Sequence, residues 1–283
     1  MINRRDLIVV ENCKNANPNG DLSADNQPRM DFETSKGLIS PVSIKRRIRD
    51  AVRKLHGEED GYAILMYNDG TSLEAKAKEI LDGLNLKDVK AMDAKQRDRM
   101  IKKAVCDKYW DVRTFGAAIT NFNKLGVSDG QITGPVQIGW GESIDPIIVD
   151  DPQYITRSVA ATDKDLSVNK TVDIGTKYIT NAQYMYEVHV CDNDQTGISE
   201  KDYEYLLEGI QRRWDLNRTS SKTGMEVECV IEFIHDSRYG SASMAMLRKA
   251  IVRTVDDENA VRKHYSFTVD ESKLPKGVKA IVH

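Results

Sequence analysis

Residues 40–55 read Ser-Pro-Val-Ser-Ile-Lys-Arg-Arg-Ile-Arg-Asp-Ala-Val-Arg-Lys-Leu, and this stretch sets the frame for the rest of the chain. Ser40 suits an N-cap and Pro41 the first turn, where a missing N–H costs nothing. Gly57 stands just past the end as a stop. At about 100° per residue, Ile44, Ile48, Ala51, Val52 and Leu55 form one apolar stripe. Lys45, Arg46, Arg49 and Arg53 fall on the adjoining arc. Residues 41–55 carry six cations (Lys45, Arg46, Arg47, Arg49, Arg53, Lys54) against Asp50, a local +5. A helix is expected that packs one flank and presents cations along another.

Upstream, residues 6–12 are a β-branched run and predict a first strand. Residues 15–38 are rich in Asn, Asp, Pro and Gly and predict a long shaped loop. Downstream, 57–110 reads as a helical insertion, with good helix formers over 73–84 and 94–109. Residues 111–116 are expected as a turn-like element and 122–131 as a polar loop. Alternating Val136, Ile138 and Trp140 predict a strand over 132–143. The polar stretch 154–181 lacks the apolar content of a core element and predicts a protruding arm. Strand character returns at 183–191. Ser199 then caps a helix over 200–214, with Tyr203, Leu206, Leu207, Ile210 and Trp214 inward. After a polar loop over 216–224, residues 226–236 alternate Val227, Cys229, Ile231 and Phe233 inward. A helix over 242–252 and a strand over 264–270 complete the reading.

Without insertions the order is strand, helix, strand, strand, helix, strand. That predicts an α+β fold with a ferredoxin-like βαββαβ palm, a pattern shared with RNA-recognition modules. The boundaries are 1–56 and 182–236 for the two palm halves, 57–131 for the helical insertion, 132–153 for a further palm strand, 154–181 for the arm and 237–283 for a C-terminal extension. The sheet carries no ordinary RNA-recognition aromatic signature.

Composition narrows the function. The 283 residues hold 41 Lys+Arg against 44 Asp+Glu, a net charge of −3, so any polyanion binding must come from a local patch. The acidic counterpart to the basic helix is 192–208, with six acids and one Lys, a local −5. One could face RNA and the other a neighbouring copy. No apolar run is long enough for a membrane span or signal peptide. Four isolated cysteines suit a reducing cytoplasm, and no CxxC pair supports a zinc site. No Walker or dinucleotide loop appears. No metal or cofactor is expected.

Several blocks are familiar together. Asn17-Pro18-Asn19-Gly20-Asp21 is followed by Ala24-Asp25-Asn26-Gln27-Pro28-Arg29. Gly37-Leu38-Ile39-Ser40 leads into Ser43-Ile44-Lys45-Arg46-Arg47-Ile48-Arg49-Asp50. Then come Asp111-Val112-Arg113-Thr114-Phe115-Gly116, Ile132-Thr133-Gly134-Pro135-Val136-Gln137 and Ser143-Ile144-Asp145-Pro146. In this order the blocks resemble the guide-binding backbone subunit of type I CRISPR Cascade effectors, a RAMP-superfamily protein of type I-C or I-B character. The resemblance implies a palm with inserted helical fingers and a thumb hairpin. Copies would polymerise along CRISPR RNA and display it to a target DNA strand. It further implies contact with a guide-end-capping RAMP subunit and a large subunit, and indirectly with a recruited helicase-nuclease. No enzymatic activity is expected of the chain itself.

On this reading Lys45, Arg46 and Arg49 match RNA-facing positions of the family, and Arg53 joins them by helical geometry. Asn19, Gly20 and Arg29 are candidates in the loop, either for sugar-phosphate contact or as plain turn chemistry. Arg113 is favoured over Phe115, which reads as core. On the arm, Arg157, Lys164, Lys170 and Lys177 are candidate contacts. Met225 is either a wedge beside the guide or core packing. The rival class is a RAMP-type endoribonuclease that processes guide RNA or cleaves target RNA. It would use an acid such as Asp21, Asp25 or Asp31 with a metal, or His235-Asp236 as acid/base.

Overall fold

The computed structural model describes residues 2–84, 92–118, 130–151, 155–157, 171–173 and 177–283. The first strand, β1 (Arg5–Ala16), is longer than its apolar run. It leads through a ribbon of β2 (Gly20–Asp21) and β3 (Gln27–Pro28) to β4 (Lys36–Ile39) and α1 (Pro41–His56). Ser40 caps α1 by accepting from the Ser43 N–H, and Ile44, Ile48, Ala51 and Val52 are buried as the period required. The insertion holds α2 (Leu73–Asp82), α3 (Ala94–Lys108) and α4 (Trp110–Phe115), then β5 (Gly116–Ala118) and β6 (Gln131–Thr133). The expected turn at 111–116 is thus a short helix. All six of its residues are buried, because Trp110, Val112 and Phe115 each fill a core.

The predicted strand over 132–143 is broken into the end of β6, then β7 (Val136–Ile138) and the start of β8 (Gly141–Pro146). Trp140 falls in the second break and is 55 % exposed instead of inward. Next come β9 (Val149–Asp150), β10 (Ile155–Arg157), β11 (Thr171–Asp173) and β12 (Tyr178–Val190). The helix α5 (Glu200–Leu216) begins with a capping box in which Ser199 and Asp202 satisfy each other's backbone N–H. It is followed by β13 (Met225–His235). The expected helix over 242–252 shrinks to α6 (Met244–Leu247) plus one 3₁₀ turn. Then follow β14 (Ile251–Val255), β15 (Tyr265–Val269) and β16 (Val278–Val282).

The chain is α+β, built on one large antiparallel sheet in the order β16–β13–β1–β12–β8–β4, with β7 and β9 also on β12. α1 and α5 pack together on one face. Gly209 lets them close up, since a Cβ there would lie 2.8 Å from Val52 and 3.2 Å from Ile48. Between them and the sheet lies the main core, with Leu7, Val9, Ile48, Tyr184, Val188, Leu206 and Ile210. The insertion has its own core around Leu65, Ile80, Ile101 and Val105.

A third core covers the opposite sheet face, where Ile8, Ile231 and Phe233 meet Leu247 and Val278. The alternation over 226–236 is therefore split between two faces. The β1–β13 register slips between Val10 and Glu11, which face Cys229 and Val227 respectively. Glu228 is the extra residue of a bulge. Val227 consequently turns to the main core, while Cys229, Ile231 and Phe233 point into the third.

The expected acidic surface over 192–208 is consumed internally. Glu200 pairs with Arg5, Asp202 with Arg113, Glu208 with His56 and Arg212, and Asp192 and Asp194 with Arg238. Five of its six carboxylates thus neutralise cations of the same chain and offer no free acidic face.

Candidate nucleic-acid interface

The basic arc of α1 divides by the partners it meets. Arg49 Nε donates to Asp111 Oδ2 at 3.0 Å, and Asp111, fully buried, also accepts from the Leu65 and Met66 N–H groups. Arg49 is therefore pinned to the insertion. Arg46 makes an exposed i,i+4 pair with Asp50, a contact of small energetic weight. Lys45 and Arg47 have no carboxylate within ion-pair distance among the described residues. Burial, then the neighbouring Arg49 charge, pulls the Lys45 amine below its usual range. For Arg47, burial and Arg46 outweigh the help of Asp50 and lower it too. Lys45 and Arg49 stand 5.3 and 5.1 Å from the Phe115 ring centroid, and Phe115 is itself core. Arg53 stacks on Tyr67 at 4.0 Å, and its Nε has no hydrogen-bond partner among the described residues.

Partly buried cations without counter-ions are costly, and an arriving anion relieves the cost. Lys45 and Arg47 fit that description; Arg49 does not.

The loop between β1 and α1 is held against the start of the helix. Asn19 Oδ1 accepts from the Ser40 N–H at 2.8 Å, and the Asn19 carbonyl accepts from the Arg29 N–H at 3.0 Å. A Cβ on Gly20 would lie 1.9 Å from Asn26 Oδ1, so a larger residue there would push the Asn26 amide aside. Arg29 pairs with Asp21 at 3.0 Å and keeps a partly exposed guanidinium. Lys177, at the root of the arm, pairs with Asp25 at 3.3 Å.

Two expected contacts lie inside the protein. Arg113 is 9 % exposed. It donates from Nε and Nη2 to the Asp202 carboxylate at 3.0 and 2.6 Å, and from Nη2 to the Gly61 carbonyl at 3.1 Å. Its donors are spent on the fold, and none is free for a phosphate. Met225 is 1 % exposed in the main core, so its side chain packs. On the arm, Arg157 lies in β10, whose backbone pairs with Thr171 of β11, while Lys164 and Lys170 lie outside the described residues.

The acids of the nuclease reading have structural duties. Asp21 caps the turn at Ser23, Asp25 binds Lys177, and Asp31 accepts from the Glu33 and Thr34 N–H groups. His235 is buried between Asp6 Oδ2 and the Ser241 N–H. His189 joins the same Asp6 at 2.6 Å. No group of three or more His, Cys, Asp or Glu among the described residues is arranged to hold a metal ion. No helix there is long and apolar enough to cross a membrane.

Two cations were not singled out from the sequence: Arg47, which was counted in the charge sum only, and Lys222. The Lys222 amine is largely buried and donates to the Asn17 carbonyl. Burial, reinforced by Arg47, brings it down to about 8. The one sequence signal for Lys222 was its place in a polar loop with Arg218 and Gly224.

Residues 3–272 match the family described as CRISPR-associated protein Cas7. A "CRISPR-associated protein Cas7" of Haloferax volcanii is 24 % identical over 298 residues, covering 99 % of this chain and 84 % of the relative. A chain of the solved "CRISPR RNA-guided surveillance complex, pre-nicking" has a like fold, with a TM-score of 0.50 at 13 % identity over 87 % of this chain and 85 % of that one. With the family match spanning nearly its whole length, the chain belongs to the Cas7 family of CRISPR-associated proteins.

Proposed function

We propose that this chain is the non-catalytic backbone subunit of a Cascade-type effector, of type I-C or I-B character. It polymerises along CRISPR RNA in the cytoplasm and holds it by phosphate and sugar contacts that ignore sequence. What supports this reading is that Lys45 and Arg47 of α1 are half-buried cations with no carboxylate within ion-pair distance among the described residues. A subunit that accepts any guide needs such contacts, and base pairing then reads the target.

Arg46, Arg53, Asn19, Gly20 and Arg29 extend the surface, and Arg157, Lys164, Lys170 and Lys177 supply it from the arm. Arg49, held by Asp111, lies over the same Phe115 ring as Lys45. The strand order β13–β1–β12–β8 supports a ferredoxin-like palm. Residues 57–131 are the fingers, 154–181 the thumb, and the β10–β11 pairing supports a hairpin there. The partners are further copies of this chain, a target DNA strand paired to the guide, the end-capping and large subunits, and indirectly the helicase-nuclease. The structural duties of Asp21, Asp25, Asp31 and His235 favour the scaffold over the ribonuclease.

The test is to purify the chain, read its 260/280 nm ratio and size it before and after ribonuclease. RNA-containing oligomers that collapse on digestion are expected. An RNA-free monomer at low salt, even with added guide RNA, overturns the reading. Replacing Lys45, Arg46 and Arg53 together by Ala should lower the salt slope of RNA binding by about 2, at ~0.7 per contact.

A further inference from the structure

The sheet face away from α1 and α5 is apolar over one part only. Ile8, Ile231 and Phe233 lie under the third core, but towards the end of β1 the same face turns polar. Cys13 and Ala182 pack on the main core, so Lys14 and Asn181, which pair across β1 and β12, point the opposite way. Asn12, two residues before Lys14 and opposite Gln183, lies on that face too. Two hollows are cut into this end. One, of about 590 Å³, is lined by Asn12, Lys14, Asn15 and Glu226 among others. The other, of about 360 Å³, lies between residues 144–146 of β8 and residues 261–265. Asn181 lines both, so the hollows meet there.

The wall of the smaller hollow is fixed. Gln183 Oε1 accepts from the Tyr265 N–H at 2.8 Å, its Nε2 donates to the Tyr265 carbonyl at 2.9 Å, and the Tyr265 hydroxyl donates to Asp145 at 3.0 Å. By contrast, the side chains of Asn12, Lys14, Asn15, Asn181 and half-buried Arg262 make no hydrogen bond or ion pair among the described residues. Glu226 is the acid beside them that is likewise unpaired there. Asparagine is a poor strand former, and β1 and β12 are central strands, so amides that bond to nothing in the sheet do nothing for the fold. Amides supply donors and an acceptor, and the two cations supply donors with charge. That set suits phosphates, sugar hydroxyls and unpaired base edges repeated along a strand. An acidic peptide would answer the cations, but β1 and β12 have both edges paired and offer its backbone no strand to join. The larger hollow also begins where β1 runs into the loop that carries Asn19 and Arg29.

We infer that the joined hollows form a groove for a single-stranded nucleic-acid segment, with Lys14 and Arg262 on its phosphates and the Asn12, Asn15 and Asn181 amides on sugar and base edges. The inference rests on the RNA-binding reading and extends it to the sheet face opposite α1. The segment is a further stretch of the guide or part of a second strand; both carry the chemistry that the groove recognises.

The test titrates the full chain with guide RNA, then the RNA-saturated chain with a labelled single-stranded DNA that is not complementary to that RNA. Lys14→Gln combined with Arg262→Gln should lower the salt slope of one titration by about 1.4, at ~0.7 per contact. Asn181→Ala should weaken the same titration about two- to tenfold with its slope unchanged. Lys95→Gln combined with Lys249→Gln removes the same charge from exposed positions that line neither hollow, and should leave both slopes as they are. A change in the first titration assigns the groove to the guide, and a change in the second assigns it to another strand. Lys14→Gln alone, at an exposed side chain, should still lower the slope by ~0.7 if Arg262→Gln disturbs the hairpin. Groove variants that match the charge control in both titrations overturn the groove while RNA binding stands. Failure of the parent chain to bind RNA at low salt removes the RNA-binding reading as well.

Discussion

The Arg113–Asp202 pair should behave as a strut of the fold, and its two halves should not be equivalent. Asp202 accepts from Arg113 Nε and Nη2, from the Ser199 N–H at 2.8 Å and from the Ser199 hydroxyl at 2.7 Å. Burial lowers the Arg113 pKa, but the Asp202 bonds outweigh it and raise the guanidinium above its ordinary range. Asp202→Ala leaves that cation buried and unpaired, a cost of about 3–5 kcal/mol. It also strips the α5 capping box, worth about 1 kcal/mol more. At roughly 2–4 °C per kcal/mol for a chain near this size, the melting temperature should fall by roughly 8–24 °C. Arg113→Met leaves Asp202 with both Ser199 bonds and should cost about 2–3 kcal/mol, the range of lost charged hydrogen bonds. The double variant should be more stable than the two losses summed, with a coupling of about 2 kcal/mol. Urea and thermal denaturation followed by circular dichroism measure all four corners of the cycle. RNA titrations against salt serve as the control, since neither change should alter the slope. The reasoning is refuted if Asp202→Ala stays within about 1 kcal/mol of the parent, or if Arg113→Met keeps full stability yet lowers the slope.

Further outcomes follow from the same structure. Gly224→Ala should disrupt the meeting of β1 and β13, because a Cβ there would lie 1.6 Å from the Lys14 carbonyl oxygen; a stability loss of about 1–3 kcal/mol is expected, and an unchanged urea midpoint contradicts it. His189 is raised to about 9 by its bonds to Asp6 and Glu187, with Arg4 and His235 also on Asp6. Its contribution is therefore fully present below about pH 6.5 and lost as pH rises through about 9. His189→Gln should remove that loss, and identical midpoint profiles from pH 6 to 9.5 in both proteins would sink the assignment. Ser199→Ala should cost about 1–2 kcal/mol, through the α5 cap and the hydroxyl bond to Asp202, leaving RNA affinity at constant temperature unmoved.

Local chemistry made much of the fold readable. Ser40-Pro41 and Ser199 each mark a helix start because a cap acts within three residues, and the Ile44–Ile48–Val52 stripe follows from helical period alone. The site was read only in part, because periodicity finds the face of a helix and not the partner across it. Arg49 meets Asp111 from 62 positions away, and Arg113 meets Asp202 from 89. Neither ion pair has a local signature, so both arginines looked like free cations. The same limit hid Glu11, an acid in an apolar strand that is buried against Arg213 and the Trp214 indole N–H. The bulge at Glu228 was equally silent, since one extra residue alters sidedness without altering the alternation on paper. Lys222 became visible only when three distant segments met.

The third core has a consequence for synthesis. β13 takes its place between β1 and β16, so Ile8, Ile231 and Phe233 line an apolar face before Leu247 and Val278 exist to cover it. A chain emerging in order carries that bare surface for some forty residues after β13 is complete, and its outer strand edge lacks the β16 partner for as long. Premature termination in this interval would release a protein whose long helices and β1–α1 loop are already made but whose sheet is open to its neighbours. Aggregation of such fragments, more than loss of any contact to RNA, is what nonsense changes after residue 236 should bring about.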